Sequence, residues 1–251
     1  MIYVCVPAHN EATTIGVLLW KVRKVLGEFR RDYRIVVHDD ASTDETREVL
    51  ARYRRALPLT ILTSDSQVGY GRSVEALLRH TVDHSSYPKR DCAVVLQGDF
   101  TENPTDLIGL VKVLEGGADI VAGTVEDEEE EAIPTGVRRV RRFARMVPGG
   151  AVAKAPVSDP MSGMRAYRVI VLKKAVRAIP DDAALLTSDG WAANVELLSR
   201  LAPHARRIEE SPLALRYDLQ TRDSRFQAWK TFLALLRLRA SLWAPLAEEA
   251  S

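Results

Sequence analysis

Four short polar clusters hold most of the side chains in this sequence that could do chemistry. They are Pro7-Ala8-His9-Asn10-Glu11, His38-Asp39-Asp40-Ala41-Ser42-Thr43-Asp44, Val68-Gly69-Tyr70-Gly71-Arg72 and Gln97-Gly98-Asp99. Carboxylates accept hydrogen bonds and can hold hard cations, and glycines let a backbone come close to a ligand. One polar turn of this kind is unremarkable. Four of them, each directly after an apolar run, describe a binding site on one rim of a sheet, because ligands of a parallel α/β sheet bind beyond the carboxyl ends of its strands.

The elements that must position these clusters can be read from periodicity. Ile2 to Val6, Ile35 to Val37, Leu59 to Thr63 and Ala93 to Leu96 read as buried strands. Ile15, Leu18, Leu19, Val22, Val25 and Leu26 follow the spacing of one helix face. Ser42-Thr43-Asp44-Glu45 has the form of a capping box opening a second helix. Helices over 73–82 and about 105–114 and a strand over 120–122 complete an alternation of strand and helix. That alternation predicts an α/β fold, a Rossmann-like, mostly parallel sheet with helices on both faces. The second half is less regular: an arginine-rich helix near 137–147, a strand around 164–167, helices near 169–178 and 190–201, strands at 206–210 and 213–217, and a terminal helix over about 225–243.

The chain has 251 residues, 46% of them hydrophobic, which suits one large α/β domain. Its net charge of +1 implies neither a nucleic-acid nor an acidic partner. Charge is locally uneven, however, with an acidic run at Glu126 to Glu131 and arginines between Arg138 and Arg145. The acidic run reads as a solvated loop. Cys5 and Cys92 both sit in apolar runs and read as core residues, which fits a reducing, cytoplasmic setting. The first residues do not read as a signal peptide, and no apolar run approaches the ~20 residues needed to span a bilayer. A dinucleotide-binding enzyme is excluded because Pro7 to Glu11 contains no glycine. Neither a P-loop, a G-x-S-x-G elbow nor an H-E-x-x-H motif occurs.

The ordered motifs V-P-A-H-N-E, V-V-H-D-D-A-S-T-D-E-T, V-G-Y-G and L-Q-G-D-F-T-E-N-P resemble family 2 glycosyltransferases. D-P-M-S-G-M-R-A-Y-R (159–168) and S-P-L-A-L-R-Y-D (211–218) extend the match over about residues 2–230, nearest the dolichyl- and polyprenyl-phosphate sugar synthase branch. The resemblance implies a GT-A-type fold, with residues 1–123 as the nucleotide-sugar-binding half and 124–251 as the acceptor-binding half. It implies transfer of a hexosyl group from a UDP- or GDP-sugar, with Mg²⁺ or Mn²⁺ as cofactor. Pro7, Asn10, Glu11, Asp39, Asp40, Gly69, Gly71, Gln97 and Gly98 fall on its nucleotide-sugar-binding positions. Glu11 and Asp40 would grip base and ribose, and Asp39 would orient that contact or cap a helix. Asp99 matches the last aspartate of the D-x-D motif and, by the resemblance, would be the metal ligand. The first aspartate of that motif is here Gln97, which offers a carbonyl oxygen but no charge.

Asp189 falls where relatives place a catalytic carboxylate, although Ser188 stands where an acidic residue is usual. Its alternative role is to cap the helix that follows. Asp159 is a second candidate, for orienting the acceptor, and Glu196 faces either the same cleft or solvent. Arg216 and Arg225 match basic positions that meet donor or acceptor phosphate, with Asp218 holding Arg216. The acceptor is expected to be a polyprenyl phosphate, with peripheral membrane contact. The alternative is a soluble hydroxyl, an amine or a carrier-bound intermediate. A reading from another class is a non-catalytic nucleotide-sugar-binding protein, for which Gln97 is the support.

Overall fold

The computed structural model describes residues 1–100, 102–125, 135–145, 157–180, 183–213 and 228–243. Strands β1 (Ile2–Ala8), β2 (Tyr33–Asp39), β3 (Leu59–Thr63), β4 (Cys92–Val95), β5 (Ile120–Val125), β6 (Arg165–Arg168) and β7 (Ile208–Leu213) form one sheet in the order β3-β2-β1-β4-β6-β5-β7. Every neighbouring pair is parallel except those made by β6, which runs antiparallel to β4 and to β5. The chain moves outward from β1 to β3 and then returns to the other side of β1 with β4. The crevice between the C-terminal ends of β1 and β4 is therefore the switch point of the topology, where α/β sheets bind ligands.

Burial explains the elements. All seven β1 residues are buried, because helices cover both faces of the sheet. On one face lie α1 (Ile15–Phe29) and α4 (Leu107–Glu115), which bring Leu18, Leu19, Val22, Leu110 and Leu114 against Val4, Val6 and Val94. On the other lie α3 (Tyr70–His84), α6 (Val169–Arg177) and α7 (Trp191–Leu201), packing Leu77, Leu78, Leu172 and Leu198 against Tyr3, Cys5 and Val95. Cys92 belongs to the first layer and Cys5 to the second, and both thiols are free. A smaller third cluster joins α5 (Thr135–Ala144) and α8 (Ala228–Trp243) to α7 through Val140, Ala144, Val195, Leu235 and Leu238.

Three local expectations need correction. The capping box does not close: α2 spans Thr46–Tyr53, and Asp44 rather than Ser42 caps it, through bonds from the Thr46 amide (3.0 Å) and hydroxyl (2.5 Å). An aspartate two residues before a turn competes well for such donors. The strand read at 206–210 is β7, which runs on to Leu213, while the rest of the strand read at 213–217 lies outside the described residues. The helix read over 73–82 begins three residues earlier, at Tyr70, because Asp189 supplies its cap from outside the segment.

Candidate functional site

The site is built from the loops at the switch point. Asn10 has a left-handed backbone (φ 54°) that turns the chain off β1. Its amide donates to the Ser42 hydroxyl (2.9 Å) and its side-chain oxygen accepts the Thr43 amide (2.8 Å). Asn10 thereby splices the loop after β1 to the loop after β2. The Glu11 amide donates to the Thr46 hydroxyl (2.8 Å), and the buried Glu11 carboxylate accepts the Thr14 hydroxyl. A side chain at Gly98 would stand 3.1 Å from the Pro7 carbonyl and 3.4 Å from Glu11 Cγ. The turns after β1 and β4 therefore touch, and Pro7, Glu11 and Gly98 lie side by side.

Asp39 and Asp40 are adjacent, but they do different work. Fully buried Asp39 accepts the Ser42 amide (3.1 Å) and pairs with Arg47 (3.1 Å), so it shapes its own loop and ties it to α2. Asp40 reaches the other way: one oxygen accepts the Ser64 hydroxyl (2.9 Å) and the Val68 amide (2.7 Å), and the second accepts the Gly69 amide (2.9 Å). Charge-assisted bonds of this kind are roughly twice as strong as neutral ones. Asp40 thus moulds the Val68–Gly71 loop.

That loop is closed from above by residues near the start of α7. The Asp189 carboxylate accepts the Gly71 amide at 3.0 Å and so caps α3. Gly69 has φ +91°, and a Cβ there would sit 2.7 Å from the Asp189 carboxylate. A Cβ on Gly71 would sit 2.3 Å from the Ser188 carbonyl oxygen. These two glycines make room for the chain near Asp189, a packing reason for their presence that is independent of any ligand. The approach to Asp189 is rigid: Glu75 of α3 accepts the amides of Leu185 (2.8 Å) and Leu186 (3.1 Å), and Glu196 of α7 accepts those of Thr187 (3.0 Å) and Ser188 (2.7 Å). Burial pushes both carboxyls up, but these amides, with Arg79 at Glu75 and the Thr187 hydroxyl at Glu196, outweigh it. Both therefore titrate below the usual range.

Beneath the turn after β4 lies Glu102, 3% exposed. It accepts the Gln97 amide (2.9 Å), and burial pushes its carboxyl up to about 8; the Gln97 and Met164 amides oppose the rise and the charge of Asp99 adds to it. A Cβ at Gly163 would lie 2.7 Å from the Gln97 side-chain nitrogen, 3.1 Å from Glu102 and 3.4 Å from the Tyr70 hydroxyl. Tyr70 is pinned in turn by its hydrogen bond to Asn194 (3.0 Å). Asp159 is buried: it forms an ion pair with Arg141 of α5 (2.5 Å) and accepts the Met161 amide (3.0 Å). Fully buried Arg165 donates to the Asp159, Pro160 and Asn194 carbonyls, folding the 159–164 segment around its guanidinium.

Among the described residues no group of three or more His, Cys, Asp or Glu comes together that could hold a metal ion. What the rim offers is the half-buried Asp99 carboxylate, the Gln97 amide and the nearby Glu102 carboxyl. That donor set fits a hard cation that arrives with phosphate oxygens, the usual condition for Mg²⁺ or Mn²⁺. It does not fit an all-protein cage.

Arg216, Asp218, Arg225 and the acidic run lie outside the described residues. Glu75, Glu102 and Arg165 were not legible as site residues in the sequence. The one available signal was an acid on an apolar helix face: Glu75 shares its face with Val74, Leu78 and Val82, as Glu196 does with Ala192 and Val195.

Residues 3–175 match the model of the family described as glycosyl transferase family 2. The undecaprenyl-phosphate 4-deoxy-4-formamido-L-arabinose transferase of Edwardsiella ictaluri is 25% identical over 175 residues, 68% of this chain and 50% of that protein. The dolichol-phosphate mannosyltransferase of Pyrococcus furiosus is 27% identical over 173 residues, 68% of this chain and 47% of that protein. The chain thus spans about half the length of these curated relatives. Among solved structures, glucosyl-3-phosphoglycerate synthase from Mycobacterium tuberculosis, in complex with Mn²⁺ and UDP-glucose, superposes with a TM-score of 0.61 over 96% of this chain and 78% of that one, at 17% identity. That likeness shows the GT-A fold. With its polar loops gathered at the switch point of that fold and more than half its length matched by the family model, the chain belongs to glycosyl transferase family 2.

Proposed function

We propose that the protein is an inverting glycosyltransferase that moves a hexosyl group from a UDP- or GDP-sugar to a polyprenyl phosphate. The observation that carries the reading is the convergence at one rim of Pro7, Glu11 and Gly98 with the loop that Asp40 and Asp189 jointly hold. Residues 1–123 would supply the donor site and residues 124–251 the acceptor side. Glu11 would accept from base or ribose donors. Asp40 would act by fixing the Val68–Gly71 backbone, because its oxygens already accept three bonds. Asp99, with Gln97 beside it, would hold Mg²⁺ or Mn²⁺ together with the donor diphosphate; when bound, the cation supplies charge neutralisation for the departing nucleoside diphosphate.

In the displacement, an acceptor oxygen forms the new bond to the anomeric carbon as the bond to the diphosphate oxygen breaks. A phosphate acceptor arrives ionised and needs no base. The undecaprenyl- and dolichol-phosphate enzymes among the relatives support that acceptor class. The second reading, a hydroxyl or amine acceptor, is favoured by Asp189, a carboxylate at the rim that could take a proton once released from Gly71.

A thermal-shift screen of UDP- and GDP-sugars with and without Mn²⁺ tests the reading. A shift with one nucleotide class that grows with Mn²⁺ supports it. No shift with either class removes it. Slow hydrolysis of the donor without acceptor separates an enzyme from a non-catalytic sugar-nucleotide binder.

A further inference from the structure

Helix α8 is apolar on two opposite faces. Thr231, Leu235 and Leu238, at i, i+4 and i+7, are buried beside α5 and α7. On the far side, Trp229, Leu233 and Leu236 repeat the same spacing; Trp229 is 70% exposed and Leu236 39%. This outer ridge continues onto α5, because Trp229 stacks on Phe232 (5.7 Å between centroids) and Phe232 meets Phe143 of α5 (4.6 Å). An amphipathic helix ordinarily turns charge, not tryptophan and leucine, toward water.

The charges beside the ridge have one sign. Lys230, Arg237 and Arg239 are exposed along α8, and Arg139, Arg142 and Arg145 are exposed on or just after α5, with Arg138 half-buried. Neither 135–145 nor 228–243 contains an Asp or Glu, although the whole chain carries 35 basic and 34 acidic residues. An exposed aromatic–aliphatic ridge between rows of cations matches one kind of surface: apolar chains below a layer of anionic headgroups. No helix of the described residues is long and apolar enough to cross a membrane, so the helices would lie on such a surface.

We propose that the outer face of α5 and α8 seats the protein on an anionic lipid bilayer, with Trp229 and Leu236 entering the headgroup boundary and Arg139, Arg142, Lys230 and Arg237 meeting lipid phosphates. The placement relates to the site. Inward-facing Arg141 of the same α5 pairs with Asp159, and the inner faces of α5 and α8 share a cluster with Met161 and Ala192. The seat therefore adjoins the 159–164 segment, on the side where the proposed function puts the acceptor. The proposal deepens the polyprenyl-phosphate reading, but its binding test does not depend on it.

The test is co-sedimentation of the full chain with vesicles of phosphatidylcholine alone or mixed with phosphatidylglycerol, at low and high salt, with donor affinity measured on the same samples. Binding should require phosphatidylglycerol and fall at high salt, because headgroup attraction is screened within ~8 Å at physiological ionic strength. The double variant Arg139→Glu/Arg142→Glu, and separately Trp229→Ser, should each weaken vesicle binding at least tenfold while melting and donor affinity stay unchanged. A charge-reversed control at the C-terminal end of α2, Arg52→Glu/Arg54→Glu, should bind vesicles as the parent does. The proposal is overturned if phosphatidylglycerol vesicles are not bound, or if the α2 control loses as much binding as the α5 pair. It is equally overturned if sedimentation shows a dimer that Trp229→Ser dissolves, since the ridge would then face a second copy. Lost vesicle binding with intact donor affinity rejects only this surface; lost donor affinity in the parent protein rejects the glycosyltransferase reading.

Discussion

The Asp189 carboxylate accepts the Gly71 amide at 3.0 Å, so a residue just before α7 caps α3 across 118 positions of sequence. A carboxylate at a helix N-terminus also meets the positive end of the helix dipole. Asp189→Ala should therefore cost about 1 kcal/mol of stability, the usual worth of such a cap, whereas Asp189→Asn, which keeps an acceptor oxygen, should cost less. Urea unfolding of both variants checks this, and equal stability of all three proteins would mean the bond is dispensable.

The same substitution separates the acceptor classes by kinetics. If the acceptor is a hydroxyl or amine, Asp189→Asn should lower turnover by ~10²–10⁴-fold, the range of general-base catalysis. If it is a lipid phosphate, turnover should change little, while Arg216→Ala or Arg225→Ala should lower it more. Indifference to all three changes, with every accepted substrate, would place the acceptor site elsewhere.

Gly69 and Gly71 predict a packing defect that needs no ligand to be seen. Alanine at 71 would put a Cβ 2.3 Å from a backbone oxygen, and alanine at 69 would combine φ +91° with a 2.7 Å approach to Asp189. Each should destabilise the protein by ~1–3 kcal/mol, the range for overpacking. Melting curves of Gly69→Ala and Gly71→Ala matching the parent would contradict the tight docking of the segment at 185–189.

Asp40 should prove both structural and functional. Removing its buried carboxylate takes away the charge-assisted bonds from the amides of Val68 and Gly69, a loss of ~1.5–3 kcal/mol for a hydrogen bond to a charged group. Asp40→Ala should therefore lower the melting temperature and donor affinity together, while Glu11→Ala should act mainly on donor affinity. Calorimetry with the favoured donor, alongside melting, distinguishes the two; an Asp40→Ala protein of full stability would show that the Val68–Gly71 loop is held by something else.

How much of this was legible depends on the range of the interactions. The strands from Ile2 to Val95 and the helix faces were readable because burial imposes a period on neighbouring residues. The four polar loops followed from them. Asp189 capping α3, Glu75 gripping Leu185 and Arg165 gathering the 159–164 segment were not, since each bond joins parts of the chain whose proximity only the fold creates. The insertion of β6 between β4 and β5 hid the sheet order for the same reason. Ser42 misled because its hydroxyl accepts the Asn10 amide, while Asp44 accepts the first amide of the helix.

Acid should loosen the segment at 185–189. The folded-state pKa values of Glu75 and Glu196 are both lowered, so the unfolded chain binds more protons as pH falls through their ordinary value of 4.5. The stability they contribute is complete above that pH and is lost progressively below it. Urea midpoints should fall as the pH drops from ~5 to ~3, and Glu196→Gln should shrink that fall by removing one of the two groups. An unchanged pH dependence in the variant would show that Glu196 does not take part.

The central claim is that a nucleotide-sugar occupies the crevice between the turns after β1 and β4, with its diphosphate at Asp99. Calorimetric titration of the preferred UDP- or GDP-sugar, with and without Mn²⁺, into the parent protein and Asp99→Ala tests it most directly. The expected result is donor binding that Mn²⁺ tightens in the parent, and loss of that Mn²⁺ effect in Asp99→Ala with the fold intact. Binding by both proteins that is identical with and without Mn²⁺, or no binding by the parent to any donor, would contradict the account.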